Sequence, residues 1–488
     1  MTPFKTLVFF ALLLLSKTGF SQSKLEEGPE QAILADYKYK GIYGADDKGF
    51  YAYRILEKKV GPKVSIEKYD SKTLSRIILN EITLPQQERE FYSSDAHACH
   101  IEVRFLNQIT FIFYSLFNDD EKKCSIYCIT VDKTGNASAP KLLSSDNTNY
   151  VLITSPDQLH FGLICYTRTG KPEANDADYN NFYDGGEFKF YNTESVSQIF
   201  SKPLEDITKN RKVERHNYVV DNNGTLSYFI TEFANAQDLF LKRLSKWEIA
   251  VIPFNKTFAQ HLSLNFPAPP NYMNSEISYH LEVLPSGDAF ATFAVFNHDF
   301  ATKTFNTTNI SEVVSFKDEK NIAFDQKILD FKGGSFYAIL SKEYNGNLYA
   351  FFNGIKFLML SKIAKDGSME WYKIFPKSIE TRPELFKTID FKILFMDGKI
   401  NLYYVDHPKN TEKLDLNSFI PKEVATAGPQ KGSNVICISV NEKGLAQREV
   451  IFTNDEFSIL PTGFDSELNK APYLRLYSKT TEKFARLK

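Results

Sequence analysis

Asp176, Asp178, Asn180, Asp184 and Glu187 set five oxygen-bearing side chains within twelve residues, at positions 1, 3, 5, 9 and 12 of the stretch. Alternate donors of this kind let a short loop curl around a hard cation, and a bidentate carboxylate in the last position closes the shell. The carbonyl of Phe182 falls at position 7, where a main-chain oxygen completes such a set. Asn181 occupies the sharpest part of the turn, and Asn is, after Gly, the residue that best tolerates the left-handed conformation wanted there. These residues imply calcium as a cofactor. The competing reading is a solvated acidic insertion.

This spacing resembles the calcium loop of EF-hand proteins, although the flanks read as strands rather than helices. A second candidate is an echo between two apolar runs, Cys99-His100-Ile101-Glu102-Val103 and Tyr279-His280-Leu281-Glu282-Val283. In extended chain His100 shares a side with Glu102, and His280 with Glu282. Such pairs bind a metal or exchange protons when a third group joins them, and otherwise line a watered channel. No third ligand is recognisable. His97 and Cys99 alternate with His100 across the strand, so the three do not form one cluster. Tyr179, Phe182, Tyr183, Phe300 and Phe305 crowd into apparent insertions, where exposed rings stack on sugars or anchor a protein. The chain carries no Gly-x-Ser-x-Gly elbow, phosphate loop or His-Glu-x-x-His motif.

What must position these groups is a repeat. Between 335 and 377, apolar runs at 336–340, 348–352, 357–363 and 369–375 are separated by Asn345-Gly346, Asn353-Gly354 and Asp366-Gly367. Asn-Gly and Asp-Gly supply the positive φ of tight hairpins, which predicts a four-stranded antiparallel meander. Comparable first turns recur at Gly49, Gln108, Gln158, Gly224, Gly287, Gly346 and Gly398, spaced 59, 50, 66, 63, 59 and 52 residues apart. Seven units follow, at about 36–84, 97–143, 150–204, 216–266, 278–331, 335–377 and 387–452, with closing strands in 457–488. Four-stranded repeats of this length resemble the blades of a β-propeller. The resemblance implies an all-β, seven-bladed ring over 36–488, six or eight blades being the alternatives, closed by N- and C-terminal strands. It also implies that the two His/Glu runs are innermost strands beside the channel.

The repeat sorts the loops. First-to-second and third-to-fourth turns are short, whereas second-to-third connections carry apparent insertions at 167–186, 233–246, 297–309 and 406–433. A short helix is expected over 237–245. Insertions gathered at one end leave the strand ladders undisturbed and make a face for a ligand.

Composition narrows the partners. Lys5, the unbroken apolar run 7–15 and Gly19-Phe20-Ser21 form the three parts of an export signal over 1–22, with a short extension at 23–35. The run is too short to span a bilayer, no second one follows, and the expected mature chain is exported without a membrane span. Removing Lys5 and Lys17 leaves 56 basic against 60 acidic residues, a balance with no footprint for nucleic acid. Five cysteines leave at least one outside any disulfide, and Cys124, Cys128, Cys165 and Cys437 lie in apolar runs as buried thiols. One bridge involving Cys99 is the alternative. These features point to an exported binding or scaffolding module for a protein or glycan ligand. The second reading is a carbohydrate-active hydrolase or lyase with acids at the channel mouth.

Overall fold

The structure is a computed structural model. It describes residues 25–487 apart from 35, 57–60, 86–100, 119–122, 148, 168–184, 205–211, 234–243, 253–259, 266–277, 284–288, 296–298, 306–313, 316–335, 355–356, 365–368, 377–390, 408–433, 454–457 and 460–472.

The strand Ile109–Asn118 shows how the sequence builds a blade. Phe111, Ile112, Phe113 and Tyr114 are all fully buried, so side chains on both sides of the sheet are covered. A strand with both faces packed reads as a continuous apolar run rather than an alternating one. Phe113 meets Phe161 of the next blade edge-on, with ring centroids 5.2 Å apart. In the second, sixth and seventh blades a two-residue turn joins the first two strands. Asn107 and Gln108 have φ of 47° and 62°, Asn345 and Gly346 52° and 74°, and Asp397 and Gly398 53° and 70°. Paired positive φ is the geometry whose twist matches a hairpin.

The chain forms a seven-bladed β-propeller, all-β with no helix among the described residues. Each repeat folds into its own antiparallel sheet in sequence order, its first strand innermost. The fifth repeat shows three paired strands, and its next piece, Val314–Ser315, pairs in parallel with Gln260–Asn265 of the fourth blade. Strands from both ends of the chain build one further sheet. Its order is Ser458–Ile459, Tyr473–Tyr477, Thr481–Arg486 and then Glu26–Glu27, with Gln31–Ala32 also on Thr481–Arg486. This sheet fills the seam between the seventh and first blades. Leu474 and Leu487 pack with Leu394, Tyr403 and Cys437 on one side, and Tyr473 and Phe484 with Phe50, Tyr69 and Leu74 on the other.

Two local expectations are corrected, and a third lies almost wholly outside the described residues. Asn353 and Gly354 make no turn: they extend the strand Asn347–Gly354, opposite Tyr337 and Phe336. The long neighbouring strand Phe336–Tyr344 demands those partners, and the ladder overrides the local turn preference. The expected insertion at 297–309 is mostly a strand, Asp299–Phe305, paired along its length with Ala289–Val295. Its Thr and Lys residues read as loop, but Thr is well suited to a pleated strand. Phe300 and Phe305 therefore lie in a third strand and not in a face loop. The helix expected at 237–245 falls outside the described residues except for Leu244 and Ser245, which open the strand Leu244–Ile252.

A buried ionic clasp crosses the seam. Arg54 Nε donates to Glu67 Oε1 at 2.7 Å, and Arg54 Nη2 pairs with Glu482 across 428 residues of sequence. Arg475 Nε reaches the other oxygen of Glu482 at 2.6 Å, and Tyr69 donates its hydroxyl to Glu67 at 2.5 Å. Arg54, Glu67 and Glu482 are fully buried. Both guanidinium groups lie over the Tyr39 ring, at 5.2 and 4.2 Å from its centroid. Desolvation opposes the charge on Arg54, but Glu67 and Glu482 outweigh it and hold its pKa above the ordinary value. Removing one member of such a group strands a buried charge. Glu482→Ala is expected to cost about 3–5 kcal/mol in urea unfolding. Glu81→Ala, which deletes an exposed pair with Lys63, costs about 1 kcal/mol or less. Equal costs would contradict this assignment.

Candidate functional site: the loop end and the channel lining

The two ends of the blades differ. One end carries the short first-to-second and third-to-fourth turns, while the other receives the second-to-third connections, of which those at 168–184, 234–243 and 408–433 lie outside the described residues. The described chain shows how two of these connections are rooted.

In the third blade the connection leaves after the strand His160–Thr167 and re-enters at Gly185–Asn192. Glu187 is the third residue of the returning strand, opposite Cys165 and Pro203. Its carboxylate accepts the Ser201 hydroxyl and faces Lys189 Nζ at 3.2 Å. Lys189 Nζ also donates to Ser144 Oγ of the second blade at 3.0 Å, and Ser144 is bonded to Asn147. Cys165 lies in the same interface, where burial pushes its thiol up to about 11. Glu187 thus belongs to a polar group that ties two blades together beneath the loop. Asp176, Asp178, Asn180, Phe182 and Asp184, with Tyr179 and Tyr183, lie outside the described residues.

The seventh blade repeats the device with other residues. Asp406 ends the strand Lys399–Asp406 and pairs with Arg448 of the outer strand Ala446–Thr453. Their side chains are 2% and 8% exposed, so this pair is shielded from solvent where an exposed pair would be screened. The other Asp406 oxygen accepts the His407 N–H at 2.8 Å, turning the chain into its connection.

On the channel side, Glu102 lies in the first strand of the second blade, Ile101–Leu106, and pairs with Arg104 two residues on. His100 lies outside the described residues, and His280 and Glu282 sit in the first strand of the fifth blade, Ser278–Val283. Among the described residues no three His, Cys, Asp or Glu side chains converge on a metal position. Cys124, Cys128, Cys165 and Cys437 are buried thiols in no disulfide. Arg104 and Lys189 were open to the alternation argument, since each stands two residues from an expected acid. Arg448 had no such signal, because its partner lies 42 residues away and two strands over.

Lys392 is the least expected polar group near the channel. It belongs to the seventh blade's first strand, Phe391–Met396, and donates from Nζ to the Tyr473 carbonyl across the seam at 2.8 Å. Burial lowers its amine from 10.5 to about 7. Between those values the unfolded chain binds the proton that the folded chain has released, so stability rises with pH. Below about pH 7 both states are protonated and the desolvation cost is fully present. Lys392→Met is therefore expected to be most stabilising at pH 6–7, its advantage shrinking toward about pH 9.5. Paired melting curves across that range check this, and a constant or growing advantage would contradict it.

No protein-family model matches this sequence, and no curated protein matches it. Solved structures with a similar arrangement are propellers or contain them. The β-propeller domain of the Trilobed protease from Pyrococcus furiosus is 10% identical, with 86% of this chain and 99% of that chain covered at a TM-score of 0.38. Prolyl oligopeptidase B from Galerina marginata is 8% identical over 93% of this chain, at a TM-score of 0.42. The match takes in 56% of that longer chain. The periplasmic gluconolactonase PpgL from Pseudomonas aeruginosa is 11% identical, with 74% and 95% covered and a TM-score of 0.34. At these identities the likeness is one of fold alone.

Proposed function

We propose that this protein is an exported binding or scaffolding module, acting in the cell envelope or outside it, whose ligand face is the loop end of the propeller. The observation that carries the reading is the asymmetry between the ends. Three second-to-third connections of ten residues or more leave one end, whereas every described turn at the other spans nine residues or fewer. Blades with ionic or polar groups at the loop roots are a support on which connecting segments present side chains without loosening the ladder. A protein or glycan is the class of ligand that a broad, loop-built face suits. The test uses glycan and peptide arrays on the mature protein and on variants with 168–184 or 408–433 replaced by a short Gly-Ser linker. A ligand lost from at least one variant, with the β-type circular dichroism unchanged, supports the reading. Binding that maps to the short turns of the opposite end, or a bound glycan or peptide released in cleaved form, overturns it.

The stretch 176–187 gives that face its ion chemistry, with Asp176, Asp178, Asn180, the Phe182 carbonyl, Asp184 and Glu187 as calcium ligands. Glu187 would exchange Lys189 and Ser201 for the ion, so Lys189 competes with calcium. Calorimetric titration is expected to give a dissociation constant of roughly 0.1–1 mM. Glu187→Ala should abolish the heat, and Lys189→Met should tighten binding by removing the competing cation. No heat with the wild type, or unchanged binding in Glu187→Ala, would sink the assignment.

A further inference from the structure

The outermost strand of the closing sheet is held far less deeply than its neighbours. Glu26–Glu27 and Gln31–Ala32 lie along one edge of Thr481–Arg486, whose other edge pairs with Tyr473–Tyr477. Phe484 and Ala485 of the middle strand and Leu476 of the next are fully buried. From Leu25 to Leu34, by contrast, every residue is half-buried or exposed. Glu26 pairs with Arg486 and Glu27 with Lys483, but the two carboxylates are 33% and 35% exposed, and ion pairs open to solvent contribute little. The Arg54–Glu482–Arg475 clasp draws on no residue of this outer strand. Segments with few buried contacts open first, so the strand can leave while the ring stays closed.

The edge it leaves recognises this strand's own sequence. Gly28 donates its N–H to the Phe484 carbonyl at 2.8 Å, at a point where a β-carbon would lie 2.5 Å from the β-carbon of Leu74 and 3.0 Å from its carbonyl oxygen. Only glycine passes there, and the two acids just before it meet Arg486 and Lys483. Ile33 then donates to the Thr480 carbonyl at 3.1 Å. A second copy of the chain carries that whole pattern. The tether is short: residues 33–37 join the strand to Lys38–Ala45 of the first blade, and Asp36 within it has a φ of 67°. Asp tolerates this left-handed conformation better than most residues, but not as freely as Gly. A short tether under strain favours exchange of an element between copies, because exchange lets the tether extend.

We propose that two copies of this chain exchange their N-terminal strands, each strand lying on the edge of the other copy's Thr481–Arg486 in a twofold dimer. Such an exchange repeats every contact of the closed monomer and leaves neither edge open. The experiment uses the mature protein with Glu27→Cys and Ala485→Cys, which stand directly opposite each other, made in isotopically light and heavy forms. Glu26→Cys with Arg486→Cys, also directly opposed and both reached by solvent, is an independent second pair. The two forms, mixed at high concentration and then oxidised, should give covalent dimers whose linked peptides join the N-terminal position of one form to the C-terminal position of the other. Sedimentation equilibrium of the protein without added cysteines gives the second readout. Asp36→Gly, which relaxes the tether, should weaken dimerisation, and Asp36→Ala, which strains it further, should strengthen it about tenfold. Linked peptides confined to one isotopic form in both cysteine pairs overturn the proposal, as does a dimerisation constant indifferent to both substitutions at Asp36.

Discussion

A ring of blades contains one junction that the chain cannot make by continuing to the next repeat. Here that junction is held by Arg54, clamped between Glu67 of its own blade and Glu482 from the far end of the sequence. The charges are buried, so their attraction is unscreened and their desolvation is costly, and only a complete set of partners makes the arrangement tolerable. Specificity follows from that requirement. Glu482 opposite an apolar residue, or Arg54 without the terminal strands, would leave a bare charge in the core. The surrounding rings supply the burial: Phe50 stacks on Tyr69 at 5.0 Å and on Tyr473 at 4.1 Å, while Phe484 packs against both Phe50 and Tyr69. The hydrophobic contacts hold the seam together, and the ionic clasp sets which strands may form it.

Closure also explains where variation is permitted. Once each blade is fixed on both faces, the strands cannot shift without exposing apolar surface, and length changes are confined to the ends. The roots of two long connections are reinforced in the same way by different chemistry. Glu187, Lys189 and Ser144 bridge the second and third blades, whereas Asp406 and Arg448 hold the end of the seventh. The Asp406–Arg448 pair is buried, whereas Glu187 is half-exposed and is held by Lys189 and Ser201.

What could be read from sequence follows the range of the forces involved. The repeat and its tight turns are local, and Asn107-Gln108, Asn345-Gly346 and Asp397-Gly398 declare themselves because few residues accept positive φ. Asn353-Gly354 carried the same local signal and was overruled by pairing with Tyr337 and Phe336, a contact no dipeptide encodes. The strand Asp299–Phe305 reads as an insertion because its Thr and Lys residues hide a pattern completed only by Ala289–Val295. At the candidate site, Glu102 and Glu187 were legible as chemistry, and their partners Arg104 and Lys189 were within reach of strand alternation. Arg54 and Glu482 were not. An Arg in an apolar strand signals a partner without saying which of the many acidic residues it will meet.

The central claim is that the terminal strands are a structural member of the ring, as deeply locked as the first blade. Native-state hydrogen exchange measures this directly, because segments that open together exchange with the same free energy. The amides of Tyr473–Tyr477 and Thr481–Arg486 should exchange through the same slow opening as those of Gly49–Leu56 and Lys63–Asp70. Fast, independent exchange of the terminal strands while the first blade stays protected would contradict the account.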